Sequence, residues 1–140
     1  MGLRPYLAFT GNCRAAFTRY QEVFGGELIV MGASDLPPEA GYAPAGSAPD
    51  TVMHAQLEVA GGTLMGADDP TGSFQGPVNG MCVNCSLPDT AEAKRVFDAL
   101  ADGGQVQMPL GETFFAPAFG LCTDRFGTPW MIMVFGPMPS

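Results

Sequence analysis

The single histidine of this sequence, His54, is the side chain best suited to acid–base chemistry near neutral pH. It lies in a stretch, residues 51–59, in which apolar and polar residues alternate, and Gln56 follows it at the spacing of one strand face. An imidazole at this place has three possible roles: a general base, a hydrogen-bonding contact to a ligand, or a structural group tied to a backbone carbonyl. The sequence leaves all three open and makes His54 the candidate catalytic residue.

Cys82 and Cys85 have the Cys-x-x-Cys spacing that redox centres and zinc sites use. Reactive pairs of this kind place the first thiol at a helix N-terminus, whereas the pattern here predicts a strand over residues 80–87. Side chains three positions apart in a strand point to opposite faces, so the two thiols would neither share a metal ion nor pair easily. We therefore favour neither a zinc site nor a redox centre, and the role of the pair stays open.

Charge and composition exclude several classes of partner. Six Lys and Arg stand against 14 Asp and Glu, for a net charge of -8, so the protein repels phosphate backbones and anionic lipid. No apolar run is long enough to cross a bilayer, the N-terminus lacks a secretory signal, and four cysteines suit a reducing compartment. We expect a cytoplasmic protein that binds neither nucleic acid nor membrane and prefers a neutral or cationic small molecule.

Two segments with the same order of elements position these residues. In the first, the pattern predicts strands over 3–10, 28–31, 51–59 and 63–67, and a helix that begins after Asn12, its cap, and ends at Gly25-Gly26. In the second, it predicts strands over 80–87, 105–108, 118–123 and 130–135, and a helix over 89–101 that Asp89 and Glu92 cap. Loops rich in Pro and Gly cover 32–50 and 68–79.

These elements predict an α+β fold in which two βαβββ modules form a curved mixed sheet around a cleft. We expect a single domain over 1–140, with an internal repeat of 1–67 and 80–135 joined by a Pro/Gly-rich loop. About four strands covered by one helix leave one sheet face bare, so two modules must meet, and the cleft is where a ligand would bind. The low charged fraction, 14%, also favours a homodimer.

The alternation in residues 51–59 assigns side chains to the cleft. Met53, Ala55, Leu57 and Val59 fall on the face that we expect the helix to cover, which leaves His54 and Gln56 facing the cleft. The predicted ligand-binding residues are His54, Gln56, Met65, Phe114, Phe115 and Met131. For each of the apolar residues, ordinary packing in the core is the alternative.

Several short stretches in both halves carry a resemblance to a known superfamily. They are PYLAF at 5–9 with GNC at 11–13, VMHA at 52–55 with GG at 61–62, AEA at 91–93 with GG at 103–104, MPL at 108–110, FG at 119–120, DRFG at 124–127 and WM at 130–131. In this order and spacing they resemble the vicinal oxygen chelate superfamily, which includes glyoxalase I, extradiol dioxygenases and bleomycin-resistance proteins. Within it the sequence is most similar to the PhnB-like branch, often labelled 3-demethylubiquinone methyltransferase-like, and the resemblance implies a homodimer.

The resemblance also bears on metal and cofactor. Metal-using members hold a divalent ion with four His or Glu side chains, and those positions fall here on Pro5, near Met65, within residues 82–84 and on Met131. These groups are not the ligands that a hard divalent ion requires, so we expect no metal. The double glycines follow helices, whereas a Rossmann-type methyltransferase needs a Gly-rich turn between strand and helix. We expect no cofactor.

Three functions follow from these observations. The first is a non-enzymatic protein that binds a small molecule in an apolar cleft with a few polar anchors. The second is a metal-free enzyme of the same superfamily with His54 as general base. The third is a metal-dependent enzyme with an atypical ligand set around His54, Glu58 and Cys82. The missing ligands favour the first two.

Overall fold

A computed structural model describes residues 1–32, 51–69 and 78–134 of the chain. Within these ranges lie eight strands and two helices. In chain order they are β1 (Tyr6–Phe9), α1 (Cys13–Phe24), β2 (Glu27–Gly32), β3 (Val52–Val59), β4 (Gly62–Asp68), β5 (Val83–Ser86), α2 (Thr90–Ala101), β6 (Gln105–Gly111), β7 (Ala118–Thr123) and β8 (Pro129–Val134). None of the helices in the described ranges is long and apolar enough to cross a membrane.

The chain divides into two compact units, residues 1–76 and 77–140. In the first unit four strands form one sheet in the order β1-β4-β3-β2. The pairing of β1 with β4 is parallel and the other two pairings are antiparallel, so the sheet is mixed. Helix α1 covers one face of this sheet with Ala16, Phe17 and Tyr20, whose side chains are fully buried. A Cβ atom added to Gly66 of β4 would lie 2.8 Å from the Phe17 ring, so glycine there lets the helix approach.

The second unit has the same architecture. Its strands have the order β5-β8-β7-β6, again with one parallel pair, β5 with β8, and two antiparallel pairs. Helix α2 buries Ala93, Val96, Phe97 and Leu100 against the sheet. The α+β prediction is thus confirmed, with two four-stranded mixed sheets and one helix on each. The single domain, the internal repeat and the cleft stay predictions.

The N-termini of the two helices are stabilised differently. Asn12 precedes α1, but its side chain makes no capping hydrogen bond, contrary to the sequence-based prediction. Instead the buried carboxylate of Asp68, at the end of β4, accepts hydrogen bonds from the backbone N–H groups of Gly11, Cys13 and Val52 at 2.9–3.0 Å. At α2 the predicted cap is present, since Asp89 accepts from the backbone N–H of Glu92 at 2.8 Å.

The observed strands differ from the predicted ones mainly at their ends. The predicted strands 3–10 and 80–87 shorten to Tyr6–Phe9 and Val83–Ser86, because each is an edge strand that pairs only with one short partner segment. The predicted strand 105–108 extends to Gly111, because β6 continues along β7 through two register shifts. The predicted loops 32–50 and 68–79 lie mostly outside the described residues. Their first residues, Gly32 and Asp68, are the last residues of β2 and β4. The last residue of the predicted strand 130–135 also lies outside the described residues.

Candidate functional site

The sheet face of the first unit that α1 leaves uncovered carries the predicted imidazole. In β3, Ala55 and Leu57 are buried under the helix. His54 and Gln56, which alternate with them along the strand, lie half-buried on the other face. At the start of β3 the predicted alternation fails, because the register shifts beside Gly32 and Val52 is fully buried. Strand alternation beyond that irregularity therefore positions His54 and Gln56 as the sequence indicates.

Neighbouring strands complete this surface. Directly opposite residues of paired strands share a face, and the register aligns Tyr6 with Met65, Met65 with Gln56, Gln56 with Ile29, and His54 with Met31. We call this set the first open face: Tyr6, Ile29, Met31, His54, Gln56 and Met65. Three of the six predicted site residues, His54, Gln56 and Met65, thus lie together on one surface of the first unit.

A chain of hydrogen bonds crosses the first open face. The Tyr6 hydroxyl lies 3.2 Å from Nδ1 of His54, whose Nε2 lies 3.4 Å from Oε1 of Gln56. The Gln56 amide nitrogen in turn donates to Oε1 of Glu58 at 2.9 Å. The rings of Tyr6 and His54 also stack obliquely, with centroids 5.8 Å apart. Four polar side chains from β1 and β3 therefore form one connected network among apolar neighbours.

The phenol at the end of this network is held in its protonated form. Burial of part of the ring raises the pKa of Tyr6 above its usual 10.0, and the negative charge that ionised Cys13 would carry raises it further. Tyr6 therefore remains a neutral hydroxyl at physiological pH. A neutral hydroxyl both donates and accepts a hydrogen bond.

The other three predicted site residues belong to the second unit. Met131 of β8 lies opposite Asn84 and Leu121, on the face that α2 leaves uncovered, which also holds Phe119 and Met133. We call the set Asn84, Phe119, Leu121, Met131 and Met133 the second open face. The Asn84 amide nitrogen donates to the Met133 sulfur at 3.2 Å. None of these five side chains is titratable.

The two predicted loop phenylalanines have different surroundings. Phe115 packs edge-on against Phe119 of the second open face, with ring centroids 5.0 Å apart. Phe114 packs against Phe115 at 5.2 Å but is 94% exposed. The loop is held by Thr113, which accepts from the Ala116 backbone N–H at 3.1 Å. Phe115 thus extends the second open face, and Phe114 presents an apolar ring to solvent.

The residues at the metal positions of the superfamily do not fit a divalent ion. Of the residues at these positions, Pro5 precedes β1 and its carbonyl accepts from the Met65 backbone N–H at 3.1 Å, and the residue directly beside Met65 in the register is Tyr6. In the second unit the matching pair is Asn84 beside Met131. A neutral phenol and two thioethers are poor ligands for a hard divalent ion, and the single amide oxygen of Asn84 does not make a site by itself. Within residues 1–32, 51–69 and 78–134, no three His, Cys, Asp or Glu side chains are grouped to hold a metal.

The four cysteines are free and separate into exposed and buried thiols. Cys82 is exposed and precedes β5, while Cys85 is half-buried within it, and burial raises its pKa. Burial, followed by the adjacent Asp68 carboxylate, raises the pKa of Cys13 to about 12. Burial, followed by Asp124, raises that of Cys122 to about 11. None of the three raised values favours a reactive thiolate.

Of the hydrogen-bonded network, Tyr6 was not among the predicted site residues, and Glu58 was named only in the atypical metal-ligand set. Glu58 shares the strand face of His54 and Gln56, so the period-two pattern alone points to it. Tyr6 has no comparable local signal, because its proximity to His54 depends on the parallel pairing of β1 with β4. In that pairing Tyr6 lies beside Met65, which is 59 positions later in the sequence. The sequence separates Tyr6 and His54 by 48 residues.

The comparisons with known proteins agree with this architecture. The family model described as 3-demethylubiquinone-9 3-methyltransferase matches residues 2–133. Protein YjdN of Escherichia coli K12 is 38% identical over 147 residues, covering all of this chain and 99% of that protein. The crystal structure of protein PA1353 from Pseudomonas aeruginosa is 42% identical, with a TM-score of 0.83 over 96% of this chain and 98% of the other.

More distant structures share the fold. A PhnB protein from Bacillus cereus, described as a putative 3-demethylubiquinone-9 3-methyltransferase, is 24% identical, with a TM-score of 0.78 over 96% of this chain and 99% of that one. A glyoxylase/bleomycin resistance protein/dioxygenase domain from Frankia is 14% identical, with a TM-score of 0.66 over 97% and 93%. At these identities the likeness concerns the fold.

Proposed function

Because the chain belongs to the PhnB-like branch of the vicinal oxygen chelate superfamily, in the family described as 3-demethylubiquinone-9 3-methyltransferase, we propose that it binds a small organic molecule on its first open face. The observation that carries the proposal is the network from Tyr6 through His54 and Gln56 to Glu58 on an apolar surface. A few polar groups converging among apolar side chains are typical of ligand sites. The apolar part of a ligand would contact Ile29, Met31 and Met65.

The exposure of these side chains supports the proposal. Tyr6 is 54% exposed, Ile29 48% and Met31 42%, so a molecule on this surface removes apolar area from water. The net charge of -8 favours a neutral or cationic molecule over an anionic one. The same exposed residues, together with those of the second open face, support a homodimer that buries part of this area. The count of four cysteines, all free, supports a cytoplasmic protein.

A second candidate function is metal-free acid–base catalysis. His54 is within hydrogen-bonding distance of a hydroxyl on one side and of an amide on the other, which is the arrangement of an oriented general base. The hydroxyl that a substrate would meet first is that of Tyr6. A proton would then move from the substrate to the Tyr6 oxygen while the hydroxyl proton of Tyr6 moves to His54.

The metal-dependent and methyltransferase activities receive no support from the residues present. The described Tyr6, Met65, Asn84 and Met131 do not form a hard ligand set. The connection from β1 to α1 contains one glycine, Gly11, and the connection from β5 to α2 contains none. Neither is the Gly-rich turn that a Rossmann-type cofactor site requires.

A fragment screen by NMR tests the binding proposal, with small neutral compounds and amines as probes; the His54 ring signals of the protein report the site, and the ligand signals report the affinity in the wild type and the variants. We expect hits that perturb the side-chain signals of His54, which are unambiguous because it is the only histidine. The variant His54→Ala should weaken such hits by roughly 5- to 150-fold, the equivalent of about 1–3 kcal/mol for one lost hydrogen bond. The control Thr18→Ala, on the exposed side of α1, should leave them unchanged.

Thermal melts of the same variants separate a ligand contact from a structural histidine. If His54 serves binding, the melting temperature of His54→Ala stays close to that of the wild type. A fall of several degrees, as expected for the loss of a buried structural group, would contradict the proposal. Hits that bind His54→Ala as tightly as they bind the wild type would contradict it too.

Light scattering at micromolar concentration tests the proposed homodimer, which a stable monomer would refute.

A further inference from the structure

We propose that Tyr6 presents a hydrogen-bond acceptor to the bound molecule when His54 is neutral, so that the polar group recognised there is an N–H or O–H donor. The ligand class is then an amine, an amide or an alcohol with an apolar body. This inference rests on the proposed binding at the first open face and adds to it the chemistry of the ligand. It follows from which group donates in each hydrogen bond of the network. The carboxylate of Glu58 fixes this direction.

The direction is set at Glu58. An ionised carboxylate only accepts hydrogen bonds, so the contact of 2.9 Å from Gln56 uses the amide N–H of that side chain. The amide oxygen of Gln56 therefore turns the other way, towards His54. Were the amide reversed, its oxygen would face the carboxylate, and two acceptors would oppose each other.

The amide oxygen then determines the tautomer of the imidazole. Oε1 of Gln56 lies 3.4 Å from Nε2 of His54 and can only accept, so Nε2 carries the hydrogen. A neutral imidazole has a single N–H, which leaves Nδ1 as an acceptor. The Tyr6 hydroxyl, 3.2 Å away, donates to it. Each link thus points from Tyr6 towards Glu58.

The only hydroxyl hydrogen of Tyr6 is occupied by this contact. Its oxygen keeps a lone pair, and because Tyr6 as a residue is 54% exposed, that lone pair is available on the first open face. Because burial keeps Tyr6 protonated, the group is a phenol and not a phenolate at physiological pH. A donor on the ligand completes the hydrogen bonding of Tyr6, whereas a bare carbonyl oxygen placed there would oppose its lone pair.

Protonation of His54 reverses the first link. An imidazolium carries hydrogens on both nitrogens, so Nδ1 donates to the Tyr6 oxygen and frees the hydroxyl hydrogen for an acceptor on the ligand. Within the part of the chain that the structure describes, the titratable groups that face His54 are Tyr6 on β1, Glu58 on β3 and, opposite Glu58, Glu27 on β2. The strand β4 contributes Thr63, Met65 and Ala67 to this face, none of which is titratable. The preference for donors therefore belongs to the neutral imidazole.

The tautomer is measured first, without a ligand. Nitrogen-15 spectra of the single histidine at pH 9 should show Nε2 protonated and Nδ1 bare. The variant Gln56→Leu, which has a similar shape and no acceptor, should give a mixture of tautomers. A dominant Nδ1–H form in the wild type would overturn the proposal, since Tyr6 would then accept from His54 and donate to the ligand.

Two matched probes test the ligand class: 4-methylphenol, which has a donor, and 4-methylanisole, which has the same body and only an acceptor. At pH 8 we expect the phenol to bind at least about fivefold more tightly, a difference of about 1 kcal/mol. Tyr6→Phe should remove this preference, and Thr18→Ala should retain it.

The outcomes separate this inference from the binding proposal. If both probes shift the His54 signals with equal affinity in the wild type, the ligand class is wrong while binding at the first open face stands. If neither probe shifts those signals, both proposals fail at this surface. If the preference survives in Tyr6→Phe, another residue provides the acceptor and the assignment to Tyr6 is overturned.

Discussion

The open faces of the two units have the same backbone and different chemistry. In the first unit, the row across the sheet is Tyr6, Met65, Gln56 and Ile29, while in the second it is Asn84, Met131, Leu121 and Met108. Where the first unit has His54 on its third strand, two residues before Gln56, the second has Phe119 two residues before Leu121. One face carries a hydrogen-bonded network and the other an aromatic and thioether surface.

The comparison shows that strand order and helix placement do not determine the chemistry of these surfaces. The two helices bury similar faces and the two sheets have the same pairing, yet only one open face holds a titratable network. Function follows from the side chains that alternate onto the uncovered face. The second open face is therefore suited to apolar contact, and the first to recognition of a polar group.

The largest effect is expected at the buried carboxylates, of which the described part of each unit has one near the end of a strand. Asp68 accepts from Gly11, Cys13 and Val52, segments that are distant in sequence, whereas Asp124 accepts from Phe126, Thr128 and the Trp130 indole within its own turn. Asp68→Ala leaves three backbone N–H groups without this partner. We expect it to lower the free energy of unfolding by about 4 kcal/mol in urea denaturation.

The matched variants sharpen this comparison. Asp124→Ala should destabilise the second unit without separating distant segments, and the exposed Asp98→Ala, which removes a surface ion pair with Lys94, should cost less than about 1 kcal/mol. Equal losses in Asp68→Ala and Asp98→Ala would contradict the structural role of Asp68.

Next in size is an alkaline effect from the two buried thiols. The pKa of Cys13 is about 12 and that of Cys122 about 11 in the folded protein, against an ordinary value of 9.0. Below pH 9 both thiols are neutral in the folded and unfolded states, so their contribution to stability is complete. Above pH 9 the unfolded state ionises first, so the free energy of unfolding should fall as the pH rises towards 12.

The variant Cys13→Ala checks the source of this fall. Removing the thiol with the higher pKa should reduce the loss of stability between pH 9 and 11 more than Cys122→Ala does. Denaturation curves at each pH give the free energy of unfolding. If this free energy falls equally with pH in the wild type, Cys13→Ala and Cys122→Ala, the thiols are excluded as the cause.

At pH 8 in the native state, the exposed Cys82 should react with a thiol reagent at least about 100-fold faster than Cys13.

A smaller effect is expected when the two open faces are made alike. His54→Phe gives the first open face the residue that the second has in Phe119, and we expect it to weaken fragments that perturb the Tyr6 signals by about tenfold, or about 1.4 kcal/mol. Phe119→Leu, a change confined to the second open face, should leave these affinities unaltered. Comparable losses in both variants would show that the network does not distinguish the two faces.

The sequence was sufficient for the fold class, for both helices and for the orientation of β3, because all of these depend on local periodicity. It placed His54 and Gln56 on the uncovered face, since alternation holds wherever a strand is regular. It did not identify Tyr6 or the capping role of Asp68, because each acts on residues far away in sequence through β4. Contacts of this kind depend on strand pairing, which a period of two does not specify.

The last prediction concerns metal, for which we expect no effect at all. The parallel strand pairs of the two units place Tyr6 beside Met65 and Asn84 beside Met131, so neither unit offers a carboxylate or imidazole at this pair. His54 lies next to this row, but both of its nitrogens already have partners in Tyr6 and Gln56. Elemental analysis of protein purified without a tag or chelator should therefore find no stoichiometric transition metal, and dialysis against a chelator should leave the melting temperature unchanged. One tightly held Zn, Ni, Mn or Fe per chain would show that the first open face is a metal surface, and the contrast between the two faces would then have to be explained by coordination and not by hydrogen bonding.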